Sequence, residues 1–443
     1  MGMSSRQRLL IPLAALSVVG LALAGCAETG SGGGNSDNVK GQTVKISGGI
    51  TGSEADALNA SFTKFTKDTG IKVQYTGDKS FEGNIVTKVQ GGSAPDIAIV
   101  PQPGLLATLV GTGQVVQPDA TTTSNVSKYW SKSWKTYGTV GGKFYAAPML
   151  ANVKGFVWYS PAKFKEWGVT IPKTWDELLT LTKTIQEKTN AAPWCVGFSS
   201  GDASGWPGTD WIEDLVLRQA GPDVYDQWVA GKVKFTDQPI KDAFDAVGKI
   251  LLNPKYVNAG FGDVKSINST AFADVAAKVA DGTCPMTHQA SFLSSNFLTV
   301  KTKDGKTPTI APDGDVYAFL LPGIKEGSSS VEAGGEFVAS FSNKKAVQMV
   351  QDFMSSPDFA NARVKLGGVI SANNGADPSL ASSQFLTDAM KTLQDPKTVA
   401  RFDASDLMPA TVGSGSFWKG MVNWVDGTPT DQVLSAIQAG YQN

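Results

Sequence analysis

Histidine is almost missing from this chain: 443 residues contain His288 and no other, with three cysteines beside it. A zinc or iron centre draws on several His and Cys ligands at short spacing, so the sequence offers no such set. The loop G-x-x-x-x-G-K-[ST] that cradles nucleotide phosphates is also missing, which places nucleoside triphosphate hydrolysis outside this chain's work. Neither sign of charge is in excess, since 39 Lys and Arg face 40 Asp and Glu for a net charge of -1. That balance gives no electrostatic argument for nucleic acid or for another polyanion. Internal repeats, coiled-coil heptads and an apolar run of the ~20 residues that span a bilayer are lacking as well. Gly197-Phe198-Ser199-Ser200-Gly201 matches G-x-S-x-G, but a hydrolase elbow needs a helix directly after it. Loop-type residues follow instead, and His288 would be the only general base among imidazoles. No cofactor is expected.

What is present begins with Arg6 and Arg8 ahead of the apolar residues 9–23, ending in Leu23-Ala24-Gly25-Cys26. This reads as a signal peptide over residues 1–25. Small residues before a Cys resemble a bacterial lipobox, which implies acylation of Cys26 and an anchor on the outer face of the cell membrane. Residues 26–42 then serve as a tether, and the Gly-rich string at 29–37 has the composition of a flexible coil. The remaining ~400 residues exceed one compact core and suit two lobes. Cys195 and Cys284 are an even pair in an exported chain, so either a disulfide or two buried thiols fits them.

Val44 and Ile46 alternate as in a strand. Ala55, Leu58, Phe62 and Phe65 keep one face of a helix that ends by Gly70, and Ile71, Val73 and Tyr75 alternate again. A helix over 81–89 and an apolar strand at 97–100 complete a strand–helix–strand–helix–strand pattern, hence a parallel sheet. Ligands of such sheets bind beyond the carboxyl ends of the strands, here the loops 48–53, 76–81 and 101–104. A second α/β pattern starts after residues 144–149. It has a strand at 153–158, a capping box at Thr174 to Glu177 that turns Leu178, Leu181 and Ile185 inward, and a loop at 197–208. Helices at 210–219 and 240–252, strands at 316–321 and 337–341, and helices from Lys345 and Thr430 follow. Trp130, Trp134, Trp167, Trp175, Trp211 and Trp228 suit helix-face packing.

Two stretches place aromatic residues beside carboxylates in loops: Trp206-Pro207-Gly208-Thr209-Asp210 and Gly413-Ser414-Gly415-Ser416-Phe417-Trp418. A sugar ring has an apolar face of C–H groups and a rim of hydroxyls. Flat aromatic walls with Asp, Glu, Asn, Gln or His around them are therefore the chemistry that holds it.

Across nearly the whole mature length the chain resembles the extracytoplasmic solute-binding lipoproteins of ABC sugar importers, the family of maltose-binding protein. The most specific runs are Gly141-Gly142-Lys143-Phe144-Tyr145-Ala146-Ala147-Pro148, Val157-Trp158-Tyr159-Ser160 and Pro172-Lys173-Thr174-Trp175-Asp176-Glu177-Leu178. Pro95-Asp96-Ile97-Ala98-Ile99 and Arg401-Phe402-Asp403-Ala404-Ser405-Asp406 are most similar to its α-glucoside-binding branch. The resemblance implies an α/β flytrap, a two-lobed periplasmic-binding-protein-like fold with discontinuous lobes. Lobe 1 would be residues 43–149 and 320–368, and lobe 2 residues 150–319 and 369–443. Crossings are expected at 147–151, at 316–320 and after Gly368. It further implies a monomer that is not an enzyme, with a carbohydrate ligand and, as partners, permease subunits served by a cytoplasmic ATPase. The expected contacts are Trp206, Asp210, His288, Gln289, Asp403, Asp406, Phe417 and Trp418, then Glu54, Asp78, Glu82, Gln102, Asn152 and Glu336. A polyol or glycerophosphodiester in the same fold, or a surface glycosidase or adhesin, are the competing readings.

Overall fold

The apolar alternations become strands β1 (Thr43–Gly48), β2 (Lys72–Gly77), β3 (Ile97–Val100), β4 (Thr139–Val140), β5 (Lys143–Phe144), β6 (Ala146–Val153), β7 (Phe156–Tyr159), β8 (Met286–Gln289), β9 (Tyr317–Leu320), β10 (Ser330–Ser340) and β11 (Val399–Phe402). They belong to a computed structural model that describes residues 38–258, 261–327 and 330–442. The signal peptide, Cys26 and the Gly-rich string fall outside the described residues. Among the described residues no helix is long and apolar enough to cross a membrane.

The large sheet runs β11-β10-β3-β1-β2, with β6 also paired to β10. β1 lies parallel to β2 and β3, whereas β10 is antiparallel to β3 and β6. A small antiparallel sheet has the order β8-β7-β9. Only Lys154 and Gly155 separate β6 from β7, so the chain changes sheet there, and it returns between β9 and β10. These passages fall a few residues later than expected, because residues 147–151 belong to β6. A third strand-like contact pairs Ile370 with Ala151.

Four hydrophobic clusters fill the layers. Phe81, Ile85, Leu106 and Phe337 belong to one beside the large sheet, and Val44, Ile46, Leu58 and Val350 to another. Around the small sheet, one cluster gathers Trp158, Phe297, Phe385 and the Cys195–Cys284 pair, and the next holds Trp211, Leu215, Trp228 and Trp424. Each fully buried large apolar side chain contributes about 1.5–3 kcal/mol relative to exposure. Trp130, Trp134, Trp175, Trp211 and Trp228 are all buried as expected. Cys195 and Cys284 form a disulfide with Cα atoms 5.8 Å apart, closing 89 residues of chain.

Local chemistry explains the element ends. Thr174 Oγ1 accepts from the Glu177 amide, while the Glu177 carboxylate reaches the Lys173 amide at 2.7 Å. Leu178, Leu181 and Ile185 are then buried as the helix period requires. Two expectations change. The helix expected at 210–219 starts earlier and is Trp206–Ala220, so Trp206 opens a helix instead of lying in a loop. The stretch before Trp418, expected as a loop, is a wide helical turn, Thr411–Phe417, running into the helix Trp418–Val425. Turns of that width are frequent at functional sites.

Candidate functional site

A cavity of ≈ 550 Å³ opens beside the large sheet, lined by Ile99, Leu150, Asn152 and Glu336 on that side. Its first wall is built at the carboxyl ends of the parallel strands, where the strand-end rule placed it. Glu54 and Glu82 stand in the first turns of helices Gly52–Ser61 and Phe81–Gln90, and Gln102 precedes helix Pro103–Gly111. Asn152 and Glu336 complete this wall from β6 and β10. Gln102 Oε1 and Asn152 Oδ1 are buried without a partner among the described residues. Leaving such an acceptor dry costs about 1–3 kcal/mol, so a hydroxyl donor from a ligand would relieve it.

Electrostatics on this wall favour neutral carboxyl groups. Burial raises the pKa of Glu54, with the buried Arg363 guanidinium 3.8 Å away partly opposing it. Burial, then the charge of Glu54, pushes Glu336 up to about 8. Glu82 is raised by burial, while hydrogen bonding to its own backbone and to Gln102 pulls the other way.

The opposite wall is aromatic. Trp206 lies 5.1 Å from Phe272 and 5.9 Å from Phe292, both rings steeply inclined to it, and Trp418 lies alongside. Trp206 and Trp418 come together because residue 205 is glycine. Its φ is +108°, and a Cβ there would meet the Trp418 carbonyl oxygen at 2.2 Å. Trp418 Nε1 donates to Ser405 Oγ at 3.4 Å.

Beneath the aromatic wall lies a lysine that sequence reasoning missed. Lys154 Nζ is 2.9 and 3.0 Å from the two Asp210 oxygens and 2.8 Å from Asp403 Oδ2. Burial alone would lower its pKa, but Asp210, Asp403, Asp406 and Glu332 outweigh that and hold it well above the ordinary value. Five carboxyl groups share this one ammonium. Asp403 is ionised, its pKa lowered because Lys154, Glu213 and the Asp406 amide more than offset its burial. Burial pushes Asp210 up to about 7 and Glu213, Glu332 and Asp406 well above their usual range. Oxygens of Asp210, Glu332 and Asp403 lie within 4.8 Å of one another, a spacing a cation can bridge. Lys154 already supplies that positive charge.

Of the expected contacts, Trp206, Asp403, Asp406, Trp418, Glu54, Glu82, Gln102, Asn152 and Glu336 line the cavity. Five do not. Asp210 is buried below it on Lys154. His288 packs on Trp211 at 4.3 Å, with Nε2 3.8 Å from Asp214. Gln289 folds back, its Oε1 accepting from the Ala290 amide. Phe417 packs against Trp228 and Phe235 in the core. Asp78 accepts from the Ser80 amide and pairs with Lys88, as a turn residue does. Phe272 and Phe292 were missed alongside Lys154. Lys154 alone had a legible signal, a single charge in the apolar run Val153 to Trp158.

A family model for bacterial extracellular solute-binding proteins matches residues 51–360. The chain belongs to this family. Its members bind solutes and are not enzymes. The protein is 33% identical over 402 residues to an osmoprotective compounds-binding protein, GgtB, of Synechocystis, with 90% of this chain and 92% of that one covered. It is 32% identical over 422 residues to the alpha-glucosides-binding periplasmic protein AglE of Rhizobium meliloti, covering 92% and 88%. Among solved structures, the solute-binding protein RafE in complex with raffinose matches with a TM-score of 0.69 at 20% identity, over 90% of this chain and 98% of that one. The bacterial solute receptor AcbH matches with a TM-score of 0.75 at 17% identity, over 90% and 98%. At those identities the likeness speaks for the two-lobed fold of this solute-binding protein.

Proposed function

We propose that the protein is the extracytoplasmic substrate-binding component of an ABC importer and that it captures a carbohydrate, an α-glucoside or short oligosaccharide, in this cleft. The observation that carries the reading is the pairing of two unlike walls. Trp206, Phe272, Phe292 and Trp418 offer flat apolar surface, while Gln102 and Asn152 present unpartnered acceptors opposite them. A pyranose matches both, with C–H faces for the rings and hydroxyl donors for the oxygens. The name of the AglE relative supports the α-glucoside. Ligand contacts to both walls favour closure, and only differential affinity shifts that population. The two lobes are then discontinuous in sequence, with the chain passing between them at Lys154-Gly155 and again between β9 and β10. Cys26 carries the lipid that holds a monomer near two permease subunits and their ATPase.

The GgtB relative, by its name, supports a second reading in which a small polyol-like osmoprotectant occupies the same site. A phosphodiester fits less well, because anions seek free Arg or Lys and Lys154 is committed to carboxylates. Thermal unfolding of the compact unit Val39–Asn443 with trehalose, maltose, sucrose, longer α-glucans, myo-inositol and glycerophosphocholine separates the readings. A ligand at 100 times its Kd raises the melting temperature by about 3 °C for a chain of this length. That rise is expected with at least one α-glucoside. A rise with the polyol or phosphodiester alone rejects the sugar.

A further inference from the structure

We propose that Lys154 is a positioning residue for ligand capture: its ammonium, acting through Asp210, Asp403 and Ser405, holds Trp206 and Trp418 as the aromatic wall of the cleft. This inference rests on the carbohydrate reading above. The lysine occupies the two-residue passage between β6 and β7, and its amide donates to the Glu332 carbonyl at 2.8 Å, so its backbone is tied to β10. Its ammonium leaves that anchor in two directions.

The first leads to Trp206. Asp210 lies four residues after Trp206 on one helix, hence on the same face, and both its oxygens are within 3.0 Å of Nζ. Pinning Asp210 fixes the rotation of the helix start and so the plane of the indole. The ammonium also stands 5.0 Å from the centroid of the Trp206 ring, a favourable placement over an aromatic face.

The second leads to Trp418. Asp403 accepts from Lys154 and from Ser405 Oγ at 2.8 Å, and it caps the short helix Ala404–Leu407 through the Asp406 amide at 2.9 Å. Ser405 Oγ in turn receives the Trp418 indole N–H and lies 3.3 Å from Thr209 Oγ1 on the Trp206 helix. The two paths therefore rejoin, and one ammonium fixes both rings. The three carboxylate oxygens match its three N–H donors, which leaves none for a ligand hydroxyl. Lys154 thus acts through its partners.

A double-mutant cycle tests this, with sugar affinity measured by calorimetry for the wild type, Lys154→Met, Trp206→Ala and the double variant. Lys154→Met is expected to weaken binding at least about tenfold. The double variant should bind at least about threefold better than the product of the two single losses, since the share of the Lys154 effect that runs through Trp206 is then counted once. Lys154→Arg, which keeps the charge, should recover part of the affinity, and it replaces the methionine in the cycle if that variant does not fold. Losses that simply multiply, or a Lys154→Met protein that binds like the wild type, overturn the inference. A wild-type protein that binds none of the sugars overturns instead the carbohydrate reading, and this inference with it.

Discussion

Oxidation of a protein carrying Gly83→Cys and Asp202→Cys is expected to slow ligand uptake at least about a hundredfold, and thiol to restore it, because the cleft must part to admit a ligand. The two lips of the cleft touch in this structure. A Cβ on Gly83 would lie 2.8 Å from Asp202 Oδ2 and 3.8 Å from its Cβ, and one on Gly201 would lie 2.9 Å from the Lys79 carbonyl oxygen. Gly83 belongs to the wall of Glu82 and Gln102, whereas Asp202 immediately precedes the turn into the Trp206 helix. A Cβ separation near 3.8 Å is also the mean for disulfides. The substituted positions are exposed, so the pair is accessible to oxidant, while the native Cys195–Cys284 bond is fully buried. Stopped-flow tryptophan fluorescence of oxidised and reduced protein measures the effect. Equal uptake in the two forms would mean that ligands do not enter between these lips.

The two carboxylates in direct contact with Lys154 are expected to answer substitution unequally. Asp403→Ala should cost about 3 kcal/mol, because it strips an ionised partner from a buried ammonium and removes a helix cap. Asp210→Asn should cost far less near neutral pH, since Asp210 is then close to half protonated. Their pH signatures also differ in sign. The folded pKa of Asp403 lies below the unfolded value of 3.8, so its stabilisation exists above that value and fades as the pH falls through the folded pKa. The folded pKa of Asp210 is about 7, so its contribution is complete below 3.8 and is lost as the pH rises through about 7. Urea melts between pH 4 and 8 should show Asp210→Asn removing a downward slope of up to about 1.4 kcal/mol per pH unit. A mild Asp403→Ala together with an unchanged slope in Asp210→Asn would refute this assignment of charge.

The scaffold was legible because period-2 alternation at Val44 and Ile46 and period-3.6 faces such as Leu178, Leu181 and Ile185 answer directly to burial. The first wall was legible for a related reason. Glu54, Glu82 and Gln102 all follow parallel strands, and the ends of parallel strands point ligands to one edge. The opposite wall was only partly legible. Residue type marks Trp206 as able to stack, yet the same logic chose Phe417, whose place one residue before Trp418 turns it into the core. His288 was attractive as the only imidazole, but its strand presents it to Trp211 and Asp214. Phe272 and Phe292 belong to segments without a periodic signal, and only tertiary structure brings them to Trp206. Lys154 was overlooked because a lysine is normally solvated. Its five carboxyl neighbours come from elements up to 252 positions away, as Asp406 shows.

The central claim, that a sugar occupies this cleft, is tested most directly by a crystal structure of the protein with the sugar that gives the largest thermal shift. The expected density places a pyranose face on Trp206, with hydroxyls within hydrogen-bond distance of Gln102 Oε1 and Asn152 Oδ1. Density for the sugar at another place on the protein, with the cleft between Trp206 and Gln102 holding only water, would contradict it.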